Sequence, residues 1–417
     1  GVSGRFSMCR CPHARRQAGG RSCGVHADER QITASQRALG AKTADSMRGS
    51  VPSAPDATDK VVAMNDPAKR MLPLHAKVSS ALTREASYEG LLPIARDGAA
   101  CLIEESARVA DDQDLLSLHA RAAADLLREA NFWAVQAQAE FITAQHIHDA
   151  LMGRERRNDR IRRLYLDDIG KGNQLFSCAG DVIGQVNGLT VVSYGDASFG
   201  LPSRISVTAH YGDGEITDIE RDVDLGGAIH SKGVMILSSY LKARFGAEHP
   251  LRFAANIAFE QSYSGVDGDS ASLGELCGLL SAIGQLPVKQ SLGITGSMNQ
   301  FGEVQPIGGV NEKIEGFFAA CQLKGLTGEQ GVVILVQNVR HLMLRSDVLA
   351  AVKAGQFRIY AVSRVEEAVE LLLGRAAGSL SSEGEYPEGS VFAAVADRFE
   401  VWHDAEKDEE DAAKSKN

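Results

Sequence analysis

Two helix starts in this chain carry residues that packing alone does not call for. GVDGDSASLGELCGLLSAI, residues 265–283, sets aspartates, glycines and serines ahead of an apolar run in which Leu273, Leu276, Cys277, Leu280 and Ile283 share one face. Asp, Ser and Gly are favoured at a helix N-terminus, so capping is one reading. The other reading is chemical. A helix start presents unpaired N–H groups and a partial positive charge, which can hold the oxyanion formed when a hydroxyl such as that of Ser270 attacks a carbonyl. Gly268 would allow a close backbone approach, and the small Ala271 would leave the way open. The second start is GGVNEKIEGFF, residues 308–318, where Ile314, Phe317 and Phe318 mark a buried face beside Lys313. A lysine beside such a face ordinarily runs its amine out to water. Held in apolar surroundings instead, it falls from its usual pKa of about 10.4. A neutral amine can take the proton that makes a serine hydroxyl a poor nucleophile.

The elements that must position these residues fall into four regions. Residues 1–75 are rich in Arg, Gly, Ala and Ser, with Pro52, Pro55, Pro67 and Pro73, and cannot bury enough apolar surface to offset their ordering entropy; they are expected to be a disordered tail or the remnant of a truncation. Residues 76–166 are helical in period: LLPIARDGAACLIEESARVA and DQDLLSLHARAAADLLREANFWAVQAQ repeat apolar residues three and four apart, and a further helix opens at Thr143, a good N-cap. From 174 to 376 the period turns to two in GQVNGLTVVSYG, SRISVTAHYGDG and RFAANIAFEQ, with helices between and the strands GVVILV and FRIYAV near the end. Helices and strands in this order indicate an α+β domain. The strand RFAANIAFEQ is expected to offer an edge to an extended substrate. Residues 377–417, ending WHDAEKDEEDAAKSKN, read as a charged, disordered tail.

Composition narrows the function. Across 417 residues the apolar fraction is 44%, the charged fraction 24% and the net charge −10, which argues against a basic nucleic-acid-binding surface. No apolar run is long enough to span a membrane, no signal peptide is visible, and the seven scattered cysteines suggest no disulfide framework, so the expected compartment is the cytoplasm. Cys9, Cys11, His13, Cys23 and His26 could be drawn as a zinc site, but their spacing fits no common finger and disorder is the preferred reading, so no metal is expected. There is no G-x-x-x-x-G-K-[ST] loop, no H-E-x-x-H and no G-x-S-x-G elbow. His210 and His230 read as surface or core histidines.

GVDGDSAS together with ITGSMNQFGEVQPIGGVNEKIEGFF resembles the proteolytic domain of Lon-type ATP-dependent proteases, and within that family the LonB branch, whose serine motif reads GDSAS. The likeness extends upstream through GQVNGLTVVSYGDASFGLPSRISVTA and DVDLGGAIHSKGVMILSSYL, and downstream to about residue 374. It implies a Lon proteolytic domain with the fold called ribosomal protein S5 domain 2-like, and it makes residues 76–166 similar to the small helical lid of an AAA+ module. Residue by residue, it puts the nucleophile on Ser270 and the dyad lysine on Lys313, at the family's own separation of 43 residues. It puts the supporting threonine on Thr295 and an acidic residue on Asp267. Asp269 stands where the other branch carries proline. Charges so near the lysine would tend to keep it protonated, against the effect of burial. Gly296, Gly302, Gly308 and Gly309 would shape the backbone. Arg121 is a candidate nucleotide-sensing arginine of the lid.

The resemblance implies an ATP-dependent serine endopeptidase that degrades unfolded or damaged proteins as a homohexamer. It requires no cofactor within this chain for peptide hydrolysis; ATP and Mg²⁺ are expected for a full-length family member, since the P-loop, Walker B acid and arginine finger are missing here, through truncation or loss. The alternative is a non-catalytic Lon-like scaffold, against which the presence of both Ser270 and Lys313 argues.

Overall fold

The computed structural model describes residues 90–414 except Leu118, Asp196 and Glu248. The expectations for residues 1–75, the Cys/His cluster among them, lie outside the described residues.

Four helices come first: α1 (Arg96–Val109), α2 (Ala120–Gln136), α3 (Ala144–Asn158) and α4 (Arg160–Lys171). The first three bury a small core of their own, built on Leu102, Leu126, Leu127, Ala130, Ile142 and Ile147, the positions the three-and-four spacing marks. Thr143 stands at the N-cap of α3, where its N–H donates to His146 Nδ1 at 3.1 Å. The stretch that follows is two helices rather than one, parted at Asp159, and α4 continues past residue 166 to a left-handed Gly172. Arg121 projects into solvent from the first turn of α2.

Eleven short strands follow among the described residues. Seven form one sheet in the order β11 (Arg358–Val362), β10 (Gly331–Leu335), β7 (Leu292–Ile294), β2 (Gln185–Tyr194), β3 (Ala197–His210), β5 (Ala254–Phe259) and β4 (Glu215–Asp218). β1 (Asp181–Ile183) pairs with β6 (Pro287–Lys289), and β8 (Ser297–Met298) with β9 (Val304–Gln305). β7 is an interior strand, parallel to both neighbours, β2 and β10. The helices are α5 (Ile219–Asp222), α6 (Ala228–Phe245), α7 (Ser272–Gly284), α8 (Val310–Lys324), α9 (Ser346–Lys353), α10 (Val365–Leu373) and α11 (Val391–Lys414). A helical unit followed by a mixed sheet with its own helices is the expected α+β arrangement.

Glycines set how closely the two principal helices reach the sheet. A Cβ on Gly274 of α7 would meet Ile294, whereas one on the adjacent Gly293 would meet Phe317 of α8. Consecutive strand residues face opposite ways, so α7 and α8 flank the sheet and their N-termini converge where β7 ends. On the α8 side the approach is backbone to backbone: a Cβ on Gly316 would fall 2.0 Å from the Gly200 carbonyl oxygen, and one on Gly200 2.0 Å from that of Glu312.

Three expectations need correction. β5 is not an edge. The short segment EITD, arriving after the Gly-rich bend at 211–214, forms β4 and pairs parallel with β5 on the side away from β3. α7 is not one-faced either, since every residue from Ser272 to Ile283 is buried. The third concerns the C-terminal region. Val391, Phe392, Val395 and Phe399, three and four apart, form the buried stripe of α11, and the acidic run is the continuation of that helix rather than a disordered tail. α11 packs on α7 and on Phe245 and Phe253. Among the described residues no helix is long and apolar enough to cross a membrane.

Candidate active site

The turn that precedes α7 carries Ser270, half-buried, and the first turn of α8 carries Lys313, 4% exposed. Lys313 Nζ donates to Ser270 Oγ at 2.8 Å and to Thr295 Oγ1 at 3.0 Å. Thr295, wholly buried, follows β7 directly, and its N–H bonds to the Val333 carbonyl of β10 at 3.2 Å. Its hydroxyl donates onward to the Ser270 carbonyl oxygen at 3.2 Å, which also accepts the Gly296 N–H at 2.7 Å. The residues that follow β7 therefore hold both partners: Thr295 aims the amine, and Thr295 and Gly296 fix the serine's backbone.

Burial brings Lys313 down to about 8, while the Asp269 carboxylate pushes the other way. The conflict between burial and nearby negative charge is thus settled in favour of burial. The position of Lys313 in the first turn of α8, at the positive end of the helix, acts in the same direction as burial. An amine of this kind is neutral often enough at neutral pH to accept a proton from Oγ. Among the described residues the N–H groups of Asp269, Ser270 and Ala271 donate no hydrogen bond, so they remain open to an oxyanion beside Oγ.

The remaining sequence candidates divide. Asp267 is exposed and does not reach the dyad. Its Oδ1 accepts the Ile229 N–H at 3.2 Å and the Gly268 N–H at 2.9 Å, so it caps α6 and secures the loop. Gly268 has φ of +100° with open space where a Cβ would stand; the conformation requires glycine there, rather than a close approach. Gly302 and Gly309 take positive φ, and Gly296 sits against Leu335 and Leu273, whereas Gly308 meets neither condition. His210 is exposed.

His230 is a core histidine, as expected, but its company was not foreseen. Its Nε2 lies 3.2 Å from Asp218 Oδ1 and its Nδ1 3.7 Å from Glu275 Oε1. Burial lowers its basicity, yet the Asp218 hydrogen bond and the charges of Glu275, Asp218 and Glu220 raise it overall. Burial also pushes the Glu275 carboxyl up to about 7. The one available signal was a glutamate in the middle of the apolar SLGELCGLL.

Comparison with known proteins gives two matching family models. Residues 93–157 match the AAA+ ATPase lid domain of archaeal LonB, and residues 176–375 match the C-terminal proteolytic domain of the Lon protease, S16. The chain is similar to a putative Lon protease homolog of Escherichia coli (strain K12), at 44% identity over 294 residues, which is 70% of this chain and 50% of that protein. It is also similar to a putative Lon protease homolog of Haemophilus influenzae, at 50% identity over 47% of this chain and 33% of that protein. An archaeal Lon protease of Pyrococcus abyssi is 28% identical over 71% of this chain and 28% of its own length. The chain thus spans half or less of the length of these relatives.

Proposed function

Residues 93–157 are a LonB-type AAA+ lid and residues 176–375 a Lon-type proteolytic domain, and from that premise we propose that the chain is the peptidase portion of an ATP-dependent serine endopeptidase. Ser270 is the nucleophile and Lys313 the general base. The observation that carries this is the 2.8 Å contact between the buried Lys313 amine and Ser270 Oγ.

The reaction follows from the geometry. Neutral Lys313 takes the hydroxyl proton as Ser270 Oγ attacks the peptide carbonyl, with Thr295 keeping the amine in line. Negative charge on the carbonyl oxygen is met by the open N–H groups at the head of α7. The ammonium then protonates the leaving amine, and water, deprotonated by the same lysine, releases the acyl group from Ser270. Asp267 and Gly268 act as positioning residues for the serine turn.

The substrates are unfolded or loosely folded proteins, since nothing in the dyad selects a side chain. ATP with Mg²⁺ serves the AAA+ module to which the lid belongs. The described residues include no phosphate-binding loop, and no step of peptide hydrolysis runs through nucleotide. A homohexamer in the cytoplasm is the assembly and compartment that fit this reading.

The test is cleavage of an unfolded fluorescent casein by this chain and by Ser270→Ala, with and without ATP. Cleavage by the parent alone, indifferent to ATP, is the expected result. Equal cleavage by both proteins rules out Ser270 as the nucleophile. Silence from both, repeated with a longer chain carrying the ATPase, would return the protein to the scaffold reading.

A further inference from the structure

Away from the dyad, four ionisable side chains meet in the interior: Asp218 at the end of β4, Glu220 in α5, His230 in α6 and Glu275 in α7. Each is at most 4% exposed. Ligand atoms of Asp218, Glu220 and His230 all lie within 4.8 Å of one another. Among the described residues no lysine or arginine forms an ion pair with any of the four.

Their hydrogen bonding is incomplete in one consistent way. Glu220 Oε1 accepts the Phe259 N–H at 2.8 Å, while Oε2 has no partner. Asp218 Oδ1 faces His230 Nε2, while Oδ2 has none. Both Glu275 oxygens lack a hydrogen-bond donor, and Oε1 stands 3.7 Å from His230 Nδ1. A buried carboxylate left unpaired is costly. Asp218 and Glu220 stand beside one imidazole with one oxygen left free on each, a buried donor set that a cation would complete.

We propose that Asp218, Glu220 and His230 form a binding site for a divalent cation of the manganese class, with Glu275 orienting the imidazole. Carboxylate-rich oxygen donors with a single imidazole suit Mn²⁺ better than a thiolate-seeking metal. A carboxylate behind the second ring nitrogen is the usual means of fixing a ligating histidine. The site ties together the elements that frame the nucleophile. Glu275 lies one turn into the helix headed by Ser270. The Glu220 carbonyl accepts the N–H groups of Leu225 and Gly226, and the Leu225 carbonyl accepts that of Val266, in the loop leading to the serine. A bound cation therefore stiffens the serine turn from behind without touching substrate.

The test is titration of the chelator-treated chain with Mn²⁺, free metal being read by electron paramagnetic resonance. Manganese is the probe because cysteine-containing segments compete for it weakly. One tight equivalent per chain is expected, with nitrogen coupling in the electron spin-echo signal and a higher melting temperature. Glu220→Gln retains an acceptor for Phe259 and is expected to bind at least tenfold more weakly; His230→Gln is expected to lose the nitrogen coupling. Parent protein that binds no Mn²⁺ tighter than millimolar overturns the proposal, whatever the variants do. So does tight binding that Glu220→Gln leaves unchanged. None of these readouts depends on peptidase activity.

Discussion

Lys313 can act as a base only while uncharged, and a group titrating near 8 is neutral about a tenth of the time at pH 7. Peptide cleavage is therefore expected to rise with pH through about 8 and to level off above it. Asp269 opposes the effect of burial, so Asp269→Asn removes the one charge that holds the proton on. Its pH–rate midpoint is expected to move to lower pH, with faster cleavage at pH 7; a midpoint that stays or rises would show that this carboxylate does not act on the lysine. The contact of Lys313 with Ser270 and Thr295 was legible in the chain because each of the three sits in a long, distinctive motif. Asp267 was legible as a neighbour but not as a cap of α6, since Ile229 lies far from it in sequence.

At the scale of elements, the distance between serine and lysine is set by glycines. α8 reaches the sheet backbone to backbone at Gly200 and Gly316, leaving no room for a methyl group. Gly316→Ala should push the helix outward, at a stability cost of about 1–3 kcal/mol for overpacking. A displacement of about 1 Å at Lys313 is enough for roughly a 100-fold loss in turnover. A folded variant with unchanged turnover would mean that α8 accommodates the methyl without moving its first turn. The helices were readable from their periods, since Leu273 to Ile283 and Ile314 to Phe318 carry strong apolar spacing. β4 was not, because EITD is four residues long with no apolar alternation to mark it. Missing that strand made β5 look like an edge. The Asp218, Glu220, His230 and Glu275 cluster escaped for a related reason: four elements deliver one residue each, and the sequence does not reveal how they are brought together.

At the scale of the whole molecule, the lid rests on the far side of the lysine helix. Arg108 of α1 grips Glu315 with bonds of 2.7 and 2.9 Å, Asp111 accepts from Asn311 at 3.1 Å, and Asp112 pairs with Arg340. Asn311 and Glu315 flank Lys313, so one helix carries the buried amine on one side and the lid on the other. Arg108→Ala is expected to slow casein cleavage several-fold while leaving the pH midpoint near 8, because it loosens α8 without changing what surrounds the amine. A shifted midpoint would show instead that the lid alters the lysine's environment directly.

α11 gives the molecule a schedule. Val391 to Phe399 of α11 lie against the back of α7, and Arg252 bonds to Glu406 at 2.8 Å further along the same helix. During synthesis a chain folds from its N-terminal part onward, and of the described elements this helix emerges last. Until it docks, the helix that heads with Ser270 is seated on the sheet but has an uncovered apolar back. The helix behind Ser270 would thus keep an apolar surface open to water until the last of the described elements has left the ribosome, a face that α11 covers.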